Sequence, residues 1–287
     1  MSAPGHTAAP RGAGRDEPPE PPPWTRLLPG ASVRLLAPLR LVERNVVAAR
    51  GNVLTFVSVF LEPLLFLLSI GIGVGALVGD VTGPGGTPVP YKSFVAAGLL
   101  ATSAMFGPVF DCTFAFFVRF KYVKSYHAVM ATPLRPADIA AGEVLWSLLR
   151  SAIYAAAFLG TMAVLGLVSS WWAVLCLPAS MIVSYAFAGA GLGAATFMRS
   201  WTDFDLVNVA VLPMFLFSAT FFPIEQYPTV LQWVVRVTPL YQGVALERGL
   251  AFGELQWSMV PNALYLLAMG TTGLLVAGRR LTALLQP

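Results

Sequence analysis

Six long apolar runs set the pattern of this chain: residues 53–78, 93–118, 140–168, 171–198, 204–222 and 259–277. About 20 mostly apolar residues cross a bilayer as a helix. Backbone groups in lipid must be satisfied within their own segment, and the runs lack the period-2 alternation of barrel strands, so each predicts a helix. Only residues 199–203 separate the fourth run from the fifth, which leaves those two boundaries the least defined. Upstream, Leu35, Leu39, Val42, Val46 and Ala49 recur on one helical face, with Arg34, Arg40, Glu43 and Arg44 on the other. Pro38 is placed in the first turn, where proline is tolerated. This pattern predicts an amphipathic helix lying in the membrane interface.

Residues 221–253 are apolar enough for lipid but are broken at Pro223, Pro228 and Pro239, where helices stop. The unbroken pieces, 229–237 and 240–250, are too short to span. They predict two short helices dipping into the outer leaflet between the fifth and sixth spans. Tyr227, Trp233, Tyr241 and Trp257 are expected at the interface.

Charge then orients the spans. Of 18 Lys and Arg residues, fourteen fall before the first run, between the second and third, after the fourth or after the sixth. Lys92, Arg236 and Arg248 fall on the opposite side, and Arg150 lies inside a run. By the positive-inside rule both termini face the cytoplasm, and six spans keep this asymmetry where five or seven would scatter it. The predicted fold is an all-α membrane protein with six transmembrane helices, over residues 32–287. Residues 1–31, where prolines crowd between Pro4 and Pro23 and no apolar signal core occurs, predict a disordered cytoplasmic tail.

Composition excludes other classes. The chain is 56% hydrophobic and 11% charged, with a mean hydropathy of +0.71, whereas soluble domains carry roughly 25% charged residues. The pI of about 9.3 follows from inside-facing charge next to anionic lipid, with no separate basic domain for nucleic acid. Cys112 and Cys176 sit inside runs without metal-ligand spacing and read as small buried apolar residues. His127 has no ligand-forming neighbours and reads as a surface or interfacial histidine. The glycine runs Gly71, Gly73, Gly75 and Gly189, Gly191, Gly193 permit close helix packing. No G-x-x-x-x-G-K-[ST], H-E-x-x-H or G-x-S-x-G occurs. Energy for any work must come from a gradient or another subunit.

Charged residues at membrane depth are functional candidates. Glu62 and Asp111 are the better candidates for a polar path. Glu143 lies near the cytoplasmic end of its run and is expected to snorkel; seven residues on, Arg150 shares its face. The loop 119–140 combines a short basic, aromatic helix with the turns at Thr132-Pro133 and Arg135-Pro136 and reads as a docking surface.

Three segments carry a family resemblance: EPLLFLLSIGIGVG at 62–75, MATPLRPADIAAGEVLW at 130–146 and SATFFPIEQYPTVLQWVVRVTPLYQGVALERGL at 218–250. Together they resemble the membrane-spanning permease of ABC-2 type exporters, nearest the branch of nodulation lipooligosaccharide and daunorubicin-type drug export permeases. Where the resemblance calls for glycine after Ser218, this chain has Ala219. Such permeases work in the bacterial cytoplasmic membrane as dimers, with themselves or a paralogue, and with two separate ATPase subunits. The resemblance therefore implies no cofactor on this chain, with ATP and Mg²⁺ on the partner ATPase, and no enzymatic activity of its own.

It also implies roles. Arg119, Lys121, Lys124, Tyr126, Thr132, Pro133 and Leu134 would couple to the ATPase, with Arg40 and Arg44 as a second contact. Glu62 and Asp111 would face the dimer interface and export path. Phe221, Phe222, Pro223 and Glu225 would form the outer gate. The implied cargo is an amphipathic lipid, glycolipid or hydrophobic drug. Two alternatives stay open: a gradient-driven transporter or channel using Glu62 and Asp111, and a membrane scaffold that transports nothing.

Overall fold

The computed structural model describes residues 30–49, 61–129 and 134–285. The predicted tail up to residue 29, the start of the first run (53–60), Thr132, Pro133 and the His127 side chain lie outside what is described. The chain divides into two compact units, Met1–Leu36 and Ala37–Pro287; the packing below belongs to the second. Ten helices carry the described residues: α1 (Gly30–Ala49), α2 (Leu61–Val78), α3 (Tyr91–Tyr122), α4 (Ser125–Val129), α5 (Pro136–Val164), α6 (Trp171–Ala195), α7 (Asp203–Leu216), α8 (Thr229–Val237), α9 (Pro239–Phe252) and α10 (Met259–Leu285). A two-stranded antiparallel hairpin, β1 (Asp80–Thr82) and β2 (Pro88–Pro90), pairs Val81 with Val89 between α2 and α3.

Among the described residues five helices, α2, α3, α5, α6 and α10, are long and apolar enough to cross a membrane. α3 is the central one, burying Phe94, Leu99, Leu100, Met105, Phe116 and Phe117. Apolar side chains stand exposed along α7 (Leu206, Val209, Leu212) and α10 (Val260, Leu264, Leu275), a cost in water that lipid removes. Helix α1 begins earlier than its pattern suggests, so Pro38 lies inside it rather than in the first turn. Proline there lacks the N–H that the ladder would use.

Helices α6 and α10 touch backbone to backbone. A Cβ added at Gly189 would meet the Gly270 carbonyl, and one at Gly273 would meet the backbone of Gly189 and Ala190. Small residues at such a crossing let two membrane helices approach closely. Gly191 faces Thr113 on α3, whereas Gly73 of the earlier run faces open space.

The fifth apolar run departs most from expectation. Its helix α7 is only 14 residues long, with Pro213 in its last turns, and covers about 21 Å at 1.5 Å per residue. The chain beyond it is not helical, yet Ser218, Ala219 and Thr220 are all buried. Non-helical backbone at such depth survives only where the protein satisfies it. Here the Arg248 guanidinium, through Nη2, donates to the carbonyls of Ala219 (2.9 Å) and Thr220 (3.2 Å). The Ser218 hydroxyl donates to Phe215 O and lies 2.7 Å from the Thr220 hydroxyl. Gly98 on α3 makes room, since a Cβ there would sit 3.0 Å from the Thr220 carbonyl.

Ala219 has φ +58 in this segment, the left-handed region that glycine enters without strain. The position where the resemblance calls for glycine is thus one that needs it. Ala219→Val is expected to lower stability by roughly 3 kcal/mol, combining left-handed strain on a β-branched residue with overpacking at a buried site. Ala219→Gly should stay within about 1 kcal/mol of the parent, because relief of strain offsets the lost methyl. Thermal unfolding in detergent reads both; equal effects would exclude backbone conformation as the cause.

Candidate functional site

At one end of the bundle, basic residues from distant segments converge on a single carboxylate. Glu143, in the second turn of α5, is 2% exposed. It accepts hydrogen bonds from Arg119 Nη2 (2.6 Å), the Tyr126 hydroxyl (2.8 Å) and Arg44 Nη2 (3.3 Å). The snorkelling expected of Glu143 is therefore corrected: α1, α3 and α4 cover it and supply its partners. Gly142 beside it lets α1 seat against α5, since a Cβ there would meet Leu41 at 2.7 Å and the Pro38 carbonyl at 3.2 Å. Burial, and then the Glu143 charge, push the Tyr126 phenol well above its ordinary range, so it stays a donor. Arg119, Tyr126 and Arg44 thus point inward and hold three segments together.

The exposed residues of this end lie just beyond. The last turns of α3 widen to π geometry over Val118–Tyr122, and Lys124 takes φ +52 to reverse the chain into α4. Lys121, Tyr122, Val123 and Lys124 are exposed there. Lys121 Nζ donates to the Arg199 carbonyl (3.0 Å). Trp201 and Phe204 pack on Phe117 and Tyr122 with ring centroids 5.1–6.1 Å apart. Asp203 closes the α6–α7 turn by accepting from the backbone N–H groups of Arg199 and Ser200, which hold its carboxyl below the ordinary range. Arg40 is exposed and pairs with Glu43 (3.0 Å), Leu134 is half-buried, and Arg280 lies over Phe197.

Of the two carboxylates assigned to a path, Glu62 is exposed on α2 beside Leu61 and Leu65. Asp111 is buried and bound to Arg150 at 2.6 Å, while Arg150 also donates to the Tyr154 hydroxyl. The sequence placed Asp111 and Arg150 at depth without pairing them, because 39 residues separate them. A π turn at Asp111–Ala115 sits at this pair; such turns are frequent at functional sites.

At the opposite end, Phe221, Pro223 and Ile224 are buried while Phe222 and Glu225 are exposed. Sequence reasoning passed over Glu247 altogether. It is completely buried in α9, with Oε1 accepting from the Ser180 hydroxyl at 2.7 Å and Oε2 without a partner. Its only linear signal was a charge next to Arg248 in a helix judged peripheral. Both residues in fact lie in the interior, since α9 packs on α3, α6 and α10.

Comparison with known proteins follows this geometry. The family model described as ABC-2 type transporter matches residues 39–252. Nodulation protein J of Rhizobium leguminosarum bv. trifolii is 33% identical over 230 residues, 79% of this chain and 84% of that protein. The nodulation protein J of R. leguminosarum bv. viciae is 31% identical over 195 residues, covering 67% of this chain and 73% of that protein. That of Azorhizobium caulinodans is 24% identical over 221 residues, 76% and 85% of the respective chains.

Proposed function

The chain belongs to the ABC-2 type transporter family, and from that premise we propose that it is the permease of an ATP-driven exporter whose ATPase is a separate subunit. As a family member it is a multi-pass protein of the bacterial cytoplasmic membrane and a membrane subunit of the ABC-exporter type. Two copies, or this chain and a paralogue, pair in the bilayer and engage two ATPase subunits that carry ATP and Mg²⁺. The cargo is an amphipathic lipid, glycolipid or hydrophobic drug; the resemblance to lipooligosaccharide and drug export permeases is what supports that choice. In this reading α7 and the buried segment after it make the fifth of six spans, α8 and α9 are the reentrant pair, and both termini lie in the cytoplasm with the Pro-rich tail of residues 1–31.

The observation that carries the proposal is the exposed Lys121–Lys124 turn, backed by the buried Glu143 cluster. An exposed basic turn offers a charged contact, while Arg119, Tyr126 and Arg44 tie its base to α5 and α1. A pull on the turn is then passed to three helices rather than absorbed by a loop. Nucleotide-driven closure of the ATPases would shift the populations of inward- and outward-open dimers through this connection. Arg40, Leu134, Thr132 and Pro133 would border the same contact. Phe221, Phe222, Pro223 and Glu225 would close the outer end, and Glu62 would face the second copy.

The Lys121→Glu, Lys124→Glu double variant tests the contact. Tested for co-purification with its ABC ATPase subunit, this variant should bind at least about tenfold more weakly, from the reversal of two interface charges. It should also lose cargo-stimulated ATP hydrolysis. Wild-type association and transport would remove this turn as the coupling site. Gradient-driven transport finds less support, because Asp111 is committed to Arg150 instead of standing free in a path.

A further inference from the structure

A cavity of about 440 Å³ opens at the end of the bundle opposite the Glu143 cluster. Its walls come from the hairpin turn 83–86, residues 223–225 and the segment joining α9 to α10, and Arg248 lies against it. Arg248 is 7% exposed. Its guanidinium stacks on the Phe94 ring, 3.6 Å from the centroid, and Nη2 serves the Ala219, Thr220 and Phe94 carbonyls. Nε has no hydrogen-bond partner, and no ion pair among the described residues includes Arg248. A buried cation without a counter-charge is costly, and carbonyl dipoles do not neutralise it. The neighbouring carboxylates make no ion pair with it: Glu225 acts on it only from an exposed position at the mouth, and Glu254 accepts from the Thr87 hydroxyl at 3.1 Å.

We infer that this cavity binds a small anionic group, a phosphate or carboxylate, with Arg248 as its counter-charge and the group's polar carrier held at the mouth. The volume is that of a small-molecule site, and a guanidinium donor suits a phosphate or carboxylate oxygen. The mouth supplies complementary chemistry: Glu225 and Glu254 accept from hydroxyl or ammonium donors, while Asn262 and Tyr241 offer further hydrogen bonds. The carrier is therefore a hydroxyl- or amine-bearing moiety such as a sugar or a polar lipid headgroup. Exposed Trp257 and Trp171 at this end place the mouth at headgroup level. The site stands independently of any ATPase partner.

The full chain, purified in maltoside detergent, is titrated with inorganic phosphate or with dihexanoylphosphatidylglycerol, against sodium chloride of equal ionic strength. The thermal unfolding midpoint is followed. A saturable rise is expected, because a ligand of the folded state stabilises it by mass action. Phosphate alone producing it identifies a free-anion site, and the lipid alone producing it identifies a headgroup site. Ala245→Leu narrows the cavity while leaving the carbonyl contacts of Arg248 in place, and should weaken binding at least tenfold. Ala245→Val serves the same comparison if leucine prevents folding. No saturable rise with either probe, a rise matched by chloride, or an Ala245 variant that responds like the parent overturns the site.

Discussion

Glu143→Ala is expected to lower stability by about 3 kcal/mol, because it leaves buried positive charge and a buried phenol without their acceptor. The figure rests on Arg119 and Tyr126. Arg44, with its side chain 37% exposed, turns to water at little cost and is left out of it. Arg119 is more enclosed and meets Glu143 at 2.6 Å, while Tyr126 is fully buried. Glu143→Gln keeps an acceptor oxygen but not the charge, so it should fall between Ala and the parent. The loss should be local as well as global: hydrogen exchange over α4 and the end of α3 should rise first, since these segments are held through Glu143. A midpoint within experimental error of the parent, with unchanged exchange, would mean that the cluster does not anchor the basic turn. The lever assigned to Lys121 and Lys124 would then lose its base.

A second large effect is expected where α6 crosses α10. Gly273→Leu should cost about 4 kcal/mol or more and prevent recovery of folded protein, because the added side chain meets only backbone, at Gly189 and Ala190, and nothing there can yield. Gly73→Ala makes the control, since a Cβ there meets nothing within 4 Å. It should leave the yield and unfolding midpoint of detergent-purified protein unchanged. Recovery of Gly273→Leu as a monodisperse protein with the parent's midpoint would show that the two helices are not packed this tightly.

Much of the fold was legible because hydropathy and proline position are local properties. The second, third, fourth and sixth runs coincide with α3, α5, α6 and α10 to within a few residues at most ends. The proline breaks at 228 and 239 mark where α8 and α9 begin. The fifth run misled because its continuity was judged from composition. What lets the chain leave the helix after Phe217 is an arginine about thirty residues downstream and a glycine on α3, and no window along the sequence contains all three. The site was less legible for the same reason. Arg119, Tyr126 and Arg44 were picked out as basic or aromatic, but their direction depends on Glu143, which lies 17 to 99 residues away. The pairing of Asp111 with Arg150 and the burial of Glu247 are also properties of packing.

The length of α3 bears on the energetics of every charge it carries. Its 32 residues measure about 48 Å along the axis, against about 30 Å of hydrocarbon. Measured from Tyr91 at its start, Asp111 falls about 30 Å down the helix and Arg119 about 42 Å. On this ruler the first ion pair meets the far edge of the oil and the second lies beyond it, inside the packed end of the bundle. Between Lys92 and Asp111 the helix thus carries no charge of its own across the low-dielectric layer, and both ion pairs gather toward one end, where protein rather than lipid encloses them.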